Sequence, residues 1–221
     1  MQAIALHDLV EMTPATETSL TCSGMDVNSA QENTVLKAHA ALERAAKKPL
    51  PTRFHLHKRI PPGSGMGGAS SDAATTLLGL RALYQLREVD LATVAIEIGA
   101  DVAFFLRGGR VRAEGRGERL TPIHFTEEEW FAIAWPGIEL STAAVYRAWD
   151  EVQGDGPNEL KRAAEHVDPR VKEFARSLGD GWRMTGSGSA FFKRCANEDE
   201  ARKAAAGLDG WTTVSPSVGA W

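Results

Sequence analysis

The residues best placed to do chemistry lie between Ile60 and Ala74, IPPGSGMGGASSDAA, where a glycine loop runs directly into two serines and an apolar helical stripe. Gly63, Gly65, Gly67 and Gly68 let the backbone take up positive φ and come close to a ligand, so several N–H groups can converge on one anion. Ser70 and Ser71 are placed to cap the helix that follows, whose positive dipole end would face the same anion. Pro61 and Pro62 stiffen the approach to the loop and end the strand before it. Each part alone has a plainer use, turns for the glycines and caps for the serines. Together they read as a phosphate cradle.

Asp101 follows Gly99 and precedes the apolar run VAFFL, so its carboxylate is expected to be partly buried. Such a group can take the proton of a hydroxyl, although an aspartate beside glycine also serves as a turn or cap. A second glycine loop, TGSGS from Thr185 to Ser189, fits a β-turn or a ligand loop; paired with the first, it would close on one substrate from the opposite side. Lys58 and Arg59 could neutralise phosphate charge, but their expected state is solvated. His55 and His57 read as strand-face residues without metal-type partners. Arg107, Arg110, Arg112, Arg116 and Arg119 interleave with Glu114 and Glu118, as on a solvated ribbon with ion pairs. Tyr146 and Trp149 share a helix, where core packing is the commoner use and facing a cleft the other. Cys22 and Cys195 have no metal spacing and fit reduced thiols.

The elements that position these residues follow from periodicity. Glu32 to Lys47 repeats apolar residues at helical spacing, whereas Arg53 to Lys58 alternates, with Phe54 and Leu56 on one face and His55 and His57 on the other. Strand, loop and helix thus stand in the order a cradle needs, the helix burying Ala73, Leu77, Leu80, Leu83 and Tyr84. Asp90 caps a helix that stops at Gly99; Val102 to Leu106 is a short apolar run, and Arg110 to Leu120 a β-ribbon. Beyond Trp130 come the strand WFAIAW, a helix from Ser141, helices around Leu160 and Phe174, strands near Met184 and Phe191, a helix from Asn197 and a strand near Val214. That order predicts an antiparallel sheet with helices on one face, a second α+β unit whose boundary falls near Ile123 to Thr126.

With 221 residues, 43% of them hydrophobic, the chain can bury one large core or two small ones. A net charge of -4 argues against broad electrostatic binding of nucleic acid, so an anion site must be built locally. No run approaches the roughly 20 apolar residues of a membrane span, and Met1 to Met12 lacks the blocks of a signal peptide, which points to the cytoplasm.

Three blocks, IPPGSGMGGASSDAA, IGADVAFFLRGGRVRAEGRGERLTP and MTGSGSAFF, resemble the GHMP kinase superfamily. The pieces QAIALHDLVEM, QENTVLKAHAAL, STAAVY (Ser141 to Tyr146) and NEL (Asn158 to Leu160) agree with it. The GAD segment with its GxGE turn resembles the branch that phosphorylates cytidine diphosphate methylerythritol in non-mevalonate isoprenoid biosynthesis. The resemblance implies an α+β fold: a ribosomal-protein-S5-like ATP-binding domain over residues 1–124 and a ferredoxin-like domain over 125–221. It implies that Pro61, Pro62, Gly63, Ser64, Gly65, Met66, Gly67, Gly68, Ala69, Ser70 and Ser71 hold ATP, with Ser70 or Ser71 near the β-phosphate or Mg²⁺ and Asn33 near adenine or ribose. Asp101 falls on the family's catalytic aspartate; Tyr146 falls on the aromatic that stacks on cytosine, and Thr142, Gly186, Ser187 and Gly188 on the substrate side. A monomer or homodimer acting on a small molecule is implied. There is no GxxxxGK[ST], so the site is not of the Walker type.

The chain departs from the family in two ways. The family opens with a strand bearing a lysine two residues before an asparagine, then a Tyr-His pair at the cytosine, and Met1–Gln2–Ala3–Ile4 aligns after both. This implies an unpaired sheet edge, a half-built cytidine pocket and a longer natural protein. The family's proline after GADV is Ala103 here. Other readings are a GHMP-type kinase of a mevalonate-like alcohol or homoserine, and a nucleotide-binding remnant without turnover. A third is a dinucleotide module, since Gly63, Gly65 and Gly68 spell GxGxxG.

Overall fold

The computed structural model describes residues 1–26, 33–114, 119–124 and 128–221. The chain forms two compact units: Met1–Ile60, Gly68–Thr126 and Val218–Trp221 make the first, Pro61–Gly67 and Glu127–Ser217 the second.

In the first unit, β1 (Leu9–Pro14), β2 (Ser19–Gly24) and β3 (Thr52–Lys58) form a sheet in the order β1-β3-β2, with β1 antiparallel and β2 parallel to β3. The period of two in β3 puts Phe54 and Leu56 into the core and leaves His55 and His57 on the other face. There the imidazoles meet serine and threonine hydroxyls: Thr21 and Ser23 lie 2.9 Å from His55, and Ser23 lies 2.9 Å from His57. Helices α1 (Thr34–Ala46), α2 (Gly68–Leu83) and α3 (Leu91–Ile98) pack on the sheet's inner face around Val35, Leu42, Leu77, Leu80 and Val94. As expected, Asp90 caps α3 through the Ala92 N–H, at 3.0 Å. The apolar run after Gly99 is helical, α4 (Ala100–Phe105), and β4 (Val111–Glu114) pairs with β5 (Arg119–Pro122) as the expected ribbon. Glu32, Arg116, Glu118 and the end of the expected boundary segment lie outside the described residues.

In the second unit, β6 (Trp130–Trp135) is followed by α5 (Thr142–Val152), α6 (Leu160–Val167) and α7 (Arg170–Leu178). Then come β7 (Arg183–Met184), β8 (Phe191–Cys195), α8 (Glu198–Ala205) and β9 (Trp211–Pro216). The sheet runs β7-β8-β6-β9 and is antiparallel throughout, as the order of elements predicts. Its core joins Val145, Ala163, Ala164, Val171, Met184 and Phe191. Trp149 packs against that core, whereas Tyr146 is 54% exposed. Both cysteines are free.

Two sequence expectations give way. Ser70 and Ser71 do not cap α2, because the helix already starts at Gly68; Ser71 Oγ instead donates back to the Gly68 carbonyl at 2.8 Å. Lys58 is not solvated: it occupies the inward phase of β3 with Phe54 and Leu56, and is 5% exposed. Leu77 has no exposed surface at the centre of the first core, so Leu77→Ala should cost about 2–5 kcal/mol. Urea unfolding of parent and variant checks this; a loss under about 1 kcal/mol would mean that the site collapses around the cavity.

Candidate active site

The glycine loop is shaped by its carbonyls. Gly63, Gly65 and Gly67 sit at φ 60°, 74° and 74°, where side chains other than glycine are strained. The Gly63 carbonyl accepts from Leu140 N at 3.1 Å, and the Ser64 carbonyl accepts both Ala190 N at 3.0 Å and Thr185 Oγ1 at 2.9 Å. Ser64 is itself buried, its hydroxyl donating to the Pro61 carbonyl at 2.6 Å. With these carbonyls held inside, the N–H groups of Gly63, Gly65, Met66 and Gly67 show no hydrogen bond to a protein acceptor among the described residues. That is the arrangement an anion needs: consecutive donors on a backbone that is already fixed.

The second glycine loop is the first loop's support. A Cβ on Gly65 would lie 2.5 Å from the Thr185 carbonyl and 2.6 Å from Gly188 N, so the two loops touch backbone to backbone. The sequence suggests loops in two separate domains; in the structure both belong to one unit and are joined there. Asn158 fixes the supporting loop from behind: Nδ2 donates to the Met184 and Gly186 carbonyls, both at 2.9 Å, while Oδ1 accepts from Leu160 N at the start of α6. Local sequence alone gives Asn158 no role in the site. The signal was an asparagine two residues before a helical stripe. Thr142 Oγ1 and Ser187 Oγ share a hydrogen bond at 3.0 Å, which brings Thr142 to the buried Ser187–Gly188 turn; Gly186 and Tyr146 are exposed in the same unit.

The other site candidates belong to the first unit. Asn33 is almost buried and caps α1 through Val35 N at 2.9 Å, and Thr34 Oγ1 donates to the Ala69 carbonyl at 2.8 Å, tying the start of α1 to the start of α2. Ser70 and Ser71 are half-buried in the first turn of α2, and Ala69 is exposed. Asp101 stands in the first turn of α4. Although the residue reaches the surface, desolvation by its neighbours raises its carboxyl above the ordinary range, and the chain's amino group draws it part of the way back. A carboxylate of raised basicity suits proton abstraction.

Adjacent to the loop in sequence, the end of β3 carries a buried ionic cluster that no local pattern announces. Lys58 Nζ is 2.5 Å from Asp8 Oδ2 and 2.9 Å from Asp72 Oδ2, and all three side chains are almost fully enclosed. Burial alone would lower the Lys58 ammonium, but Asp72 and Asp8 outweigh it and hold the ammonium above its ordinary value. Burial pushes the Asp72 carboxyl up to about 7; Lys58 pulls it down and Asp8 raises it further.

Residues 33–109 match the GHMP kinases N terminal domain. The 4-diphosphocytidyl-2-C-methyl-D-erythritol kinase of Thermus thermophilus is 40% identical over 204 residues, spanning 82% of this chain and 74% of that protein. The kinase of the same name from Deinococcus radiodurans is 34% identical over 250 residues, spanning 99% of this chain and 83% of its own length. The chain belongs to this kinase family. A crystal structure of 4-(cytidine 5'-diphospho)-2C-methyl-D-erythritol kinase superposes with a TM-score of 0.78 at 36% identity, covering 98% of this chain and 88% of that one. Homoserine kinase from Cytophaga hutchinsonii, at 17% identity and a TM-score of 0.73, shares the fold. The two-domain α+β fold and the kinase class inferred from the motif blocks therefore stand, and the dinucleotide module falls.

Two outcomes follow. Gly65→Ala puts a side chain at positive φ against backbone on both sides, and is expected to cost roughly 1–3 kcal/mol or more in urea unfolding; parent-like stability would show that the loops separate freely. Because the folded chain holds the Asp72 proton more tightly than the unfolded chain, stability falls as pH rises from the ordinary carboxylate range through about 7, and levels off above. Asp72→Asn removes that loss, so its melting temperature should exceed the parent's at pH 8 and the gap should close as the pH falls to the ordinary carboxylate range. An identical pH response in the two proteins would contradict the raised carboxyl.

Proposed function

We propose that this chain transfers the γ-phosphoryl group of ATP to the 2-hydroxyl of 4-diphosphocytidyl-2-C-methyl-D-erythritol, a step of non-mevalonate isoprenoid precursor biosynthesis, acting in the cytoplasm as a monomer or homodimer. The observation that carries the reading is the glycine loop itself, at positive φ with its Gly63 and Ser64 carbonyls bonded to Leu140, Ala190 and Thr185, in a chain of this kinase family.

In this reading residues 1–124 form the ATP domain and 125–221 complete the site. The segment Pro61 to Ser71 holds the phosphates: fixed N–H groups at Gly63 to Gly67 take up the charge, with little reorganisation left to do at the moment of transfer. Positive φ at three glycines and the absence of room for a Cβ at Gly65 fit a backbone built for close approach. Mg²⁺ arrives on the nucleotide in this reading, with Ser70 or Ser71 nearby. Bound Mg²⁺ would neutralise charge on the phosphates. Asn33 lies near adenine or ribose. Asp101 accepts the proton of the substrate hydroxyl, its raised basicity favouring that transfer. Tyr146, exposed on α5, offers its ring to cytosine, and Thr142 with Gly186, Ser187 and Gly188 lines the substrate side.

The test is release of ADP by the purified chain with Mg²⁺-ATP and 4-diphosphocytidyl-2-C-methyl-D-erythritol, beside homoserine and mevalonate as acceptors. Turnover should depend on the cytidine compound. Asp101→Asn, which keeps the shape and loses the basic oxygen, should lower kcat by roughly 10²–10⁴-fold. Near-parent turnover in that variant would remove Asp101 as the base, and preference for homoserine or mevalonate would overturn the substrate assignment.

A further inference from the structure

The glycine loop hangs from Ile60 on one side and Gly68 on the other, and the buried cluster grips both of those chain ends. Before the loop, Asp8 Oδ1 accepts the backbone N–H groups of Arg59 at 2.6 Å and Ile60 at 2.9 Å, while its Oδ2 takes Lys58 Nζ. After the loop, Lys58 Nζ donates to Asp72, on the second turn of α2. The helix start also packs directly on the end of β3: a Cβ on Gly68 would lie 2.9 Å from Ile60 Cγ2 and 3.4 Å from Lys58 Nζ.

Two carboxyl groups against one ammonium in a dry place are costly whichever protons they hold, a cost that hydrophobic residues of similar volume would avoid. The cluster is therefore a poor device for stability alone. What it supplies is geometry, since each member has a donor or acceptor that only the others satisfy. We propose that Asp8, Lys58 and Asp72 form an ionic clamp that sets the spacing of the two chain ends bearing the phosphate loop, making Asp8 and Asp72 positioning residues for ATP. This rests on the ATP reading of the loop given above.

The three members differ in what a neutral replacement does. Asp8 accepts three donors, from Arg59, Ile60 and Lys58, whereas asparagine offers one oxygen and one amino group, so in either orientation a donor faces a donor. Asp72 accepts from Lys58 and also meets the Asp8 carboxylate, and asparagine can keep an oxygen toward Lys58 and present an N–H to Asp8. Asp8→Asn should thus break the clamp, and Asp72→Asn only loosen it.

The experiment titrates parent, Asp8→Asn and Asp72→Asn with a non-hydrolysable ATP analogue and, separately, with 4-diphosphocytidyl-2-C-methyl-D-erythritol, and follows amide hydrogen exchange at Arg59 and Ile60. The Kd for the analogue should rise about tenfold in Asp8→Asn, as for loss of a charge-assisted hydrogen bond, and about threefold in Asp72→Asn, with the Kd for the cytidine compound unchanged. Exchange at Arg59 and Ile60 should quicken in Asp8→Asn alone. Folded variants that bind the analogue like the parent, or that lose both ligands in parallel, overturn the clamp. If Asp8→Asn does not fold, Asp72→Asn decides by the same criterion. If the parent itself does not bind the analogue, the ATP reading fails, and unchanged exchange in Asp8→Asn then overturns the clamp as well.

Discussion

Everything proposed for this chain depends on the two hydrogen bonds accepted by the Ser64 carbonyl. A peptide group has two polar ends, and a loop that is to offer its N–H groups to a phosphate must dispose of its C=O groups elsewhere. Ala190 N and Thr185 Oγ1 do this for Ser64, and Leu140 N does it for Gly63. With these two carbonyls anchored in the second unit, the loop backbone is fixed, which is what the proposed cradle requires. The glycines serve the same end, because positive φ at alternate residues is what turns successive N–H groups to one side.

Much of this was legible in sequence. The order strand, glycine loop, apolar helix follows from the change of hydrophobic period at Ile60, and the antiparallel second unit follows from the spacing of its short apolar runs. Asp90 could be read as a cap and Ser141 as the start of a helix because helix starts carry local signals. What escaped was long-range. Strands β1 and β2 carry too little alternation to announce themselves, and gain their place only by pairing with β3. The partnership of the two glycine loops joins residues 64 and 185, which no local pattern links. Asn158 could be seen as a helix-start residue but not as the clip on the second loop, since its targets, Met184 and Gly186, are distant in the chain.

Lys58 is the instructive case. The alternation that assigned Phe54 and Leu56 to the inner face assigns Lys58 to it as well, and Asp72 falls in the same helical stripe as Ala73 and Leu77. A lysine and an aspartate in buried phase each require a partner of opposite charge. Carrying the period two residues further would have predicted the pair, though not Asp8, which precedes the first strand. That charged residues are solvated is a rule that holds on surfaces and fails where periodicity places a charge inside.

The central claim is that the N–H groups from Gly63 to Gly67 receive the phosphates of ATP. The direct measurement is an amide spectrum of the ¹⁵N-glycine-labelled chain, which has 21 glycines, titrated with a non-hydrolysable ATP analogue and, in parallel, with cytidine monophosphate. The account expects the analogue to move the signals of Gly63, Gly65 and Gly67 far more than those of other glycines, saturating with binding, and cytidine monophosphate to leave them in place. Saturable binding of the analogue that leaves these three signals unmoved would contradict it.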